Sequence, residues 1–128
     1  MKIRWLSFKN TTGETIPAYA AMVPTGSVVD SDEISIVVSK PTVQRPDCLV
    51  FNGPQDVPDQ EYGRCSLDFP LHARAASVLS GATLSPTKDS WDLTADDCGP
   101  FCVMAPTGTE YAFIERKYRH ITGVGSGC

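Results

Sequence analysis

Five cysteines, two histidines and three tight groups of carboxylates are the candidates for redox, metal or acid–base chemistry in this chain. Cys98-Gly-Pro-Phe-Cys102 sets two thiols close together, as a redox or metal motif would. Thioredoxin-type exchange, however, needs two intervening residues and a helix N-terminus to lower the first thiol's pKa. Here three residues intervene and a strand-like run follows. A zinc site would draw on Cys98, Cys102, His72 and His120, yet the histidines lack the close paired spacing that marks such sites. Nucleophilic hydrolysis needs a nucleophile, a base and a group that orients the base. His72 and His120 are the only histidines, and the chain has neither a Gly-x-Ser-x-Gly elbow nor a phosphate loop. The carboxylates Asp30, Asp32 and Glu33, then Asp56 and Asp59, then Asp96 and Asp97, stand among turn residues, where Asp serves backbone hydrogen bonding. The calcium-loop pattern is absent. No metal, no cofactor and no enzymatic activity are therefore expected.

Two further features have both a binding and a structural reading. Asn10-Thr11-Thr12 matches a glycosylation sequon and reads equally as a loop. Trp5, Tyr19, Tyr62, Trp91 and Tyr111 are the candidates for a sugar-stacking platform, or else they are core aromatics.

The rest of the composition narrows the class. The chain has 128 residues, a net charge of -4 and 41% hydrophobic residues, which suits one domain with a proper core. No apolar run is long enough to span a bilayer, and Met1 to Lys9 alternates charge with bulk where a signal peptide needs an apolar stretch. Neither membrane insertion nor export is expected, and reduced thiols are the default, with an odd cysteine count that leaves at least one unpaired within the chain. The acidic balance argues against nucleic acid as a partner. The single basic cluster, Arg116-Lys117-Tyr118-Arg119-His120, reads as the solvated end of a strand.

Ten prolines and ten glycines divide the chain into short runs, as in an all-β domain. A single domain over 1–121, a β-barrel or β-sandwich of about eight or nine short antiparallel strands, is expected, with 122–128 as a Gly-rich tail. Glu33 to Ser39 is the clearest strand, with Ile34, Ile36 and Val38 on one face. Lys2 to Lys9 shifts its bulk from Ile3 and Trp5 to Leu6 and Phe8, which implies a bulge near Leu6 or burial on both sides. Ile16 to Val23 reads as a strand closed by Pro24-Thr25-Gly26, and the same turn follows Met104-Ala105. Strands are also expected over Asp47–Phe51, Tyr62–Leu67, Ser90–Leu93, Phe101–Ala105 and Glu110–Arg116, the last two joined by a hairpin loop at 106–109. Residues 69–79 fit either one short helix or a strand with Leu71, Ala73 and Ala75 inward. Strand neighbours favour the latter.

Phe8 to Met22, with its Asn10-Thr11-Thr12-Gly13-Glu14 loop and Ile16-Pro17-Ala18-Tyr19 run, resembles the opening of small structural proteins of tailed bacteriophages. Lys40-Pro41, Leu49 to Pro54, Gly63, and Gly81 through Trp91 to Met104 follow in the same order, so the resemblance spans about residues 4 to 105. It departs from the family pattern in its cysteines and in Ala-rich 73–76. The resemblance implies a virion protein without cofactor or reaction, made in the host cytoplasm. Foremost is a capsid decoration or cement protein that binds the major capsid protein and itself as a cyclic oligomer, most simply a trimer. A tail or fibre module with a sugar site at Trp91 and the tyrosines is the alternative, and a small hydrolase or metal protein is a third. The expected contacts are the N-terminal strand, through Ile3 and Trp5, and the 10–19 segment, through Asn10, Thr12, Glu14, Ile16 and Tyr19. Residues 1–9 are expected to be dispensable for solubility, and the loops at 24–32 and 53–61 to order on assembly.

Overall fold

The computed structural model describes residues 4–30, 32–42, 48–69 and 71–116. Five strands close a small barrel: β1 (Leu6–Lys9), β2 (Ala21–Asp30), β3 (Glu33–Ser39), β4 (Val50–Asn52) and β5 (Tyr62–Ser66), in the order β1-β3-β2-β4-β5. Strand alternation decides what fills it. Phe8, Met22, Val38, Val50 and Cys65 point inward and are almost fully buried, joined by Ile16, Ala20, Val57 and Trp91 from the connections. Gly63 lies opposite Phe8 on β5. A Cβ there would stand 2.6 Å from a Val57 methyl and 2.8 Å from the Phe8 ring, so the barrel's tightest point requires glycine.

The second half of the chain forms one sheet from β6 (Leu71–Arg74), β7 (Thr83–Pro86), β8 (Leu93–Ala95), β9 (Phe101–Thr107) and β10 (Tyr111–Arg116), in the order β6-β10-β9-β7-β8. Its inner face presents Leu71, Ala73, Leu84, Leu93, Phe101, Val103, Ala112 and Ile114. Against that face lie Ala21 and Phe51, from the outside of the barrel. Phe51 meets Phe101 edge-on at 5.6 Å between ring centroids, and Phe69 stacks on Phe101 at 5.5 Å. The barrel wall made by β2 and β4 is thus also the floor of the second core.

The all-β expectation holds, with ten strands among the described residues. Several details differ. β1 and β3 pair in parallel, because the 10–20 segment and β2 reverse the chain before β3 returns beside β1. Pro24-Thr25-Gly26 does not close its strand: β2 passes through it with a register shift and runs on to Asp30, so 24–30 is strand rather than loop. The matching Pro106-Thr107-Gly108 does end a strand, and the hairpin turn lies at 108–110. β7 and the 93–95 position of β8 were not legible in the sequence. Among the described residues of 69–79 no helix forms. Leu71 and Ala73 are held by pairing with Ile114 and Ala112 on β10, and Leu79, which a helix would have buried, is 76% exposed. β1 is not a detachable arm, since Phe8 is 0% exposed at the centre of the barrel. Ile3, 117–121 and the expected Gly-rich tail at 122–128 lie outside the described residues.

Gly63→Ala is expected to destabilise the domain by about 1–3 kcal/mol through overpacking against Phe8 and Val57. Urea unfolding monitored by tryptophan fluorescence checks this, and an unchanged midpoint would mean that the barrel interior is not close-packed there.

Candidate interaction surface

The 10–19 segment is laced onto 56–61, and Asn10 is the knot. Its side chain is 0% exposed and fully used: Nδ2 donates to the Glu14 carbonyl at 2.7 Å and to the Val57 carbonyl at 2.9 Å, while Oδ1 accepts from the Thr12 amide and hydroxyl at 3.0 and 2.7 Å. Ile16 exchanges backbone hydrogen bonds with Val57 at 2.9 and 2.8 Å and is itself 0% exposed. Asp59 accepts from the Gly13 amide and Asp56 from the Ala18 amide, the backbone role read for these carboxylates in the sequence. Asn10 and Ile16 are therefore interior and offer no contact surface, contrary to expectation. Residues with short polar or β-branched side chains look alike in sequence whether they face solvent or hold a loop.

Thr12 and Glu14 do reach the surface, in an open groove of about 340 Å³ lined also by Thr11, Ser39, Lys40 and Trp91. Glu14 Oε1 pairs with Lys40 Nζ at 2.8 Å and accepts from the Trp91 indole N–H at 2.9 Å. The Lys40 hydrogen bond and then that of the indole hold the Glu14 carboxyl below its ordinary value of 4.5; desolvation acts in the other direction and the ammonium charge adds the smallest lowering effect. Trp91 is only 8% exposed, its N–H is committed to Glu14 and Lys40 Nζ lies 5.4 Å from its ring centre. It belongs to the barrel core rather than to a sugar-stacking platform.

A row of half-buried aromatic rings ending in the exposed Phe113 lies elsewhere, on the outer face of the second sheet. Strand alternation sends His72 and Arg74 of β6, and Tyr111 and Phe113 of β10, away from the core, and the ladder sets Phe113 beside His72 and Tyr111 beside Arg74. Tyr19 reaches this face from the segment before β2. Its ring meets His72 at 5.2 Å and Tyr111 at 5.3 Å, both edge-on, and His72 lies 4.0 Å from Phe113. Phe113 is 41% exposed. Tyr19 holds φ at 62°, a left-handed conformation rare for a bulky residue. Two hydrogen bonds fix it there, from its amide to the Gly53 carbonyl at 3.0 Å and from the Arg74 amide to its carbonyl at 3.1 Å. Arg74 also pairs with Asp92 at 2.7 Å and lies 5.7 Å from the Tyr111 ring centre. Trp5, 43% exposed, rests its ring near Gly53. Of the expected contact residues, Trp5, Thr12, Glu14 and Tyr19 are accessible. His72, Tyr111 and Phe113 were not among them, because only the β6–β10 register reveals that they share a face with Tyr19.

The candidate chemical residues have structural places. His72 Nε2 is 3.1 Å from the Thr107 hydroxyl and its ring is sandwiched in the aromatic row. Asp96 accepts from the Cys98 amide. Cys98 is disulfide-bonded, which departs from the expectation of reduced thiols. Cys48, Cys65 and Cys102 are free, and burial pushes the Cys65 thiol up to about 12, far from the reactive range. Among the described residues no group of three or more His, Cys, Asp or Glu is arranged to hold a metal ion. No protein-family model, curated protein or solved structure matches this chain.

Asn10→Asp sets a carboxylate against the Glu14 and Val57 carbonyls and is expected to lower stability by at least ~2 kcal/mol. Chemical denaturation checks it, and a near-neutral result would refute the knot. For Glu14 the folded-state pKa is depressed, so its pairing stabilises fully above the ordinary value of 4.5 and is lost as pH falls through the lower folded value. Glu14→Gln is expected to flatten the acid limb of the melting temperature against pH. Superimposable acid limbs for the two proteins would contradict the assignment.

Proposed function

We propose that this chain is a virion structural protein of a tailed bacteriophage, a capsid decoration protein that binds the major capsid protein lattice and stabilises the head. The observation that carries this reading is the row of accessible aromatic side chains, Tyr19, His72, Tyr111 and Phe113 with Arg74 beside it, on the outer face of a rigid sheet. Protein interfaces are enriched in aromatic residues and Arg at their centres, where two χ angles per ring keep the ordering cost low. A strained Tyr19 held by two backbone hydrogen bonds is a preorganised contact of that kind. The order of turns and strands in the sequence supports the phage assignment, and the capsid surface is its proposed location.

A tail or fibre module that binds a host glycan is the second reading. It draws on the same face, since sugars also stack on aromatic rings, and no longer on Trp91.

Tyr19→Asn, which keeps a residue tolerant of the left-handed backbone, and Phe113→Ser separate contact from folding. Both variants are expected to melt close to the parent while losing most binding to heads stripped of this protein, measured by co-sedimentation. Undiminished binding by the double variant would overturn the proposed contact face. Retained head binding together with glycan binding lost in both variants would favour the second reading for this face.

A further inference from the structure

β1 and β3 run parallel, so the chain leaves both at the same end of the barrel, and residues from 11–14 and from 38–42 line the open groove of about 340 Å³ there. That volume lies at the lower end of the range for small-ligand sites, and a barrel mouth is one of their usual places. Trp91 and Val38, 8% and 2% exposed, are the only apolar side chains of its lining among the described residues, so an apolar ligand gains little by entering.

The polar groups of the groove are fixed by the chain and have bonding capacity left over. Glu14 Oε1 takes both the Lys40 ammonium at 2.8 Å and the Trp91 indole N–H at 2.9 Å, which leaves Oε2 for a ligand. An ammonium carries three donors, so Lys40 has donors to spare. Thr12 donates its hydroxyl hydrogen to Asn10 Oδ1 at 2.7 Å, Thr25 to the Val37 carbonyl at 3.2 Å and Ser39 to the Lys40 carbonyl at 3.0 Å, so toward a ligand these three oxygens can only accept. Asp89 also lines the groove. Its backbone is left-handed, with φ at 60°, and is pinned by the 2.7 Å bond from its amide to the Pro41 carbonyl, while its carboxylate makes no hydrogen bond or ion pair among the described residues. The Thr42 hydroxyl is likewise unspent among the described residues.

This inventory selects a ligand class. The Glu14 and Asp89 carboxylates, set against the single ammonium of Lys40, disfavour phosphates and other anions. A purely cationic ligand fits no better, because Lys40 already neutralises Glu14 and an ammonium or guanidinium has no acceptor to offer the Lys40 and Thr42 donors. A saccharide hydroxyl both donates and accepts, and adjacent hydroxyls present the paired donors that a carboxylate binds. We propose that the groove binds a neutral saccharide, with Asp89 and Glu14 Oε2 accepting from sugar hydroxyls, Lys40 donating to them, and the Thr12, Thr25 and Ser39 oxygens completing the acceptor set. Trp91 does not stack on the sugar; its indole N–H fixes Glu14 and so shapes the site from beneath. Without a stacking ring, affinity for a single sugar is expected in the millimolar range. The site shares no residue with the aromatic face and rests on neither functional reading given above.

Nitrogen–proton correlation NMR on the full chain, titrated in turn with glucose, galactose, mannose, rhamnose and N-acetylglucosamine, is expected to give with at least one sugar saturable shifts of the Trp91 indole N–H and of amides in 11–14 and 39–42. Asp89→Asn keeps a residue tolerant of the left-handed backbone and is expected to weaken that binding about tenfold, through loss of charge-assisted hydrogen bonds, with little change in melting temperature. Absence of a saturable shift with every sugar, an affinity indifferent to Asp89→Asn, or larger saturable shifts with methylguanidinium than with any sugar would each overturn the proposal. So would sugar-induced shifts that survive Asp89→Asn and vanish in the protein carrying Tyr19→Asn and Phe113→Ser, which would place the sugar on the aromatic face.

Discussion

β4 and the start of β2, at Ala21 and Met22, are buried on both sides, and the two cores depend on it. Met22 and Val50 fill the barrel, while Ala21 and Phe51, one position along each strand, lie against the second sheet. Because successive residues of a strand point oppositely, one short wall fixes the barrel and the sheet relative to each other without a linker. The Ala21 amide donates to the Trp91 carbonyl at 2.9 Å, which ties the loop before β8 to the same wall. Small residues at 20 and 21 permit this approach. Tyr19, directly before them, has its backbone set by the wall on one side and by Arg74 on the other, so its left-handed conformation follows from the packing of its neighbours.

That constraint separates what the sequence makes legible from what it does not. The alternation of Ile34, Ile36 and Val38 is readable, as is the β9–β10 hairpin, because each depends on local period and turn chemistry. The acidic turns are readable for the same reason: Asp56, Asp59 and Asp96 all cap backbone amides nearby in the fold. The parallel pairing of β1 with β3 is not, since it depends on where a chain returns after a long excursion. Pro24-Thr25-Gly26 has the composition of a turn, yet β2 absorbs it as a register shift against β3. Ile34 has the right period but the wrong neighbourhood: its strand runs beyond the filled part of the barrel.

The contact residues divide in the same way. Asn10 and Ile16 lie in a segment whose loop character is plain from sequence, but their roles are to satisfy buried carbonyls and to pair with Val57. Tyr19 is accessible because the second sheet brings His72, Tyr111 and Phe113 to it, and no single stretch of sequence holds those four residues. Trp91, the aromatic best suited by type to a sugar, is the one most enclosed.

Copy number in the assembled particle tests that role most directly. Quantitative peptide mass spectrometry on gradient-purified phage particles, referenced to the major capsid protein, is expected to return a copy number comparable to that of the capsid subunit. A count of only a few copies to a few dozen would move the protein to the tail or fibres, and its absence from purified particles would contradict a virion role altogether.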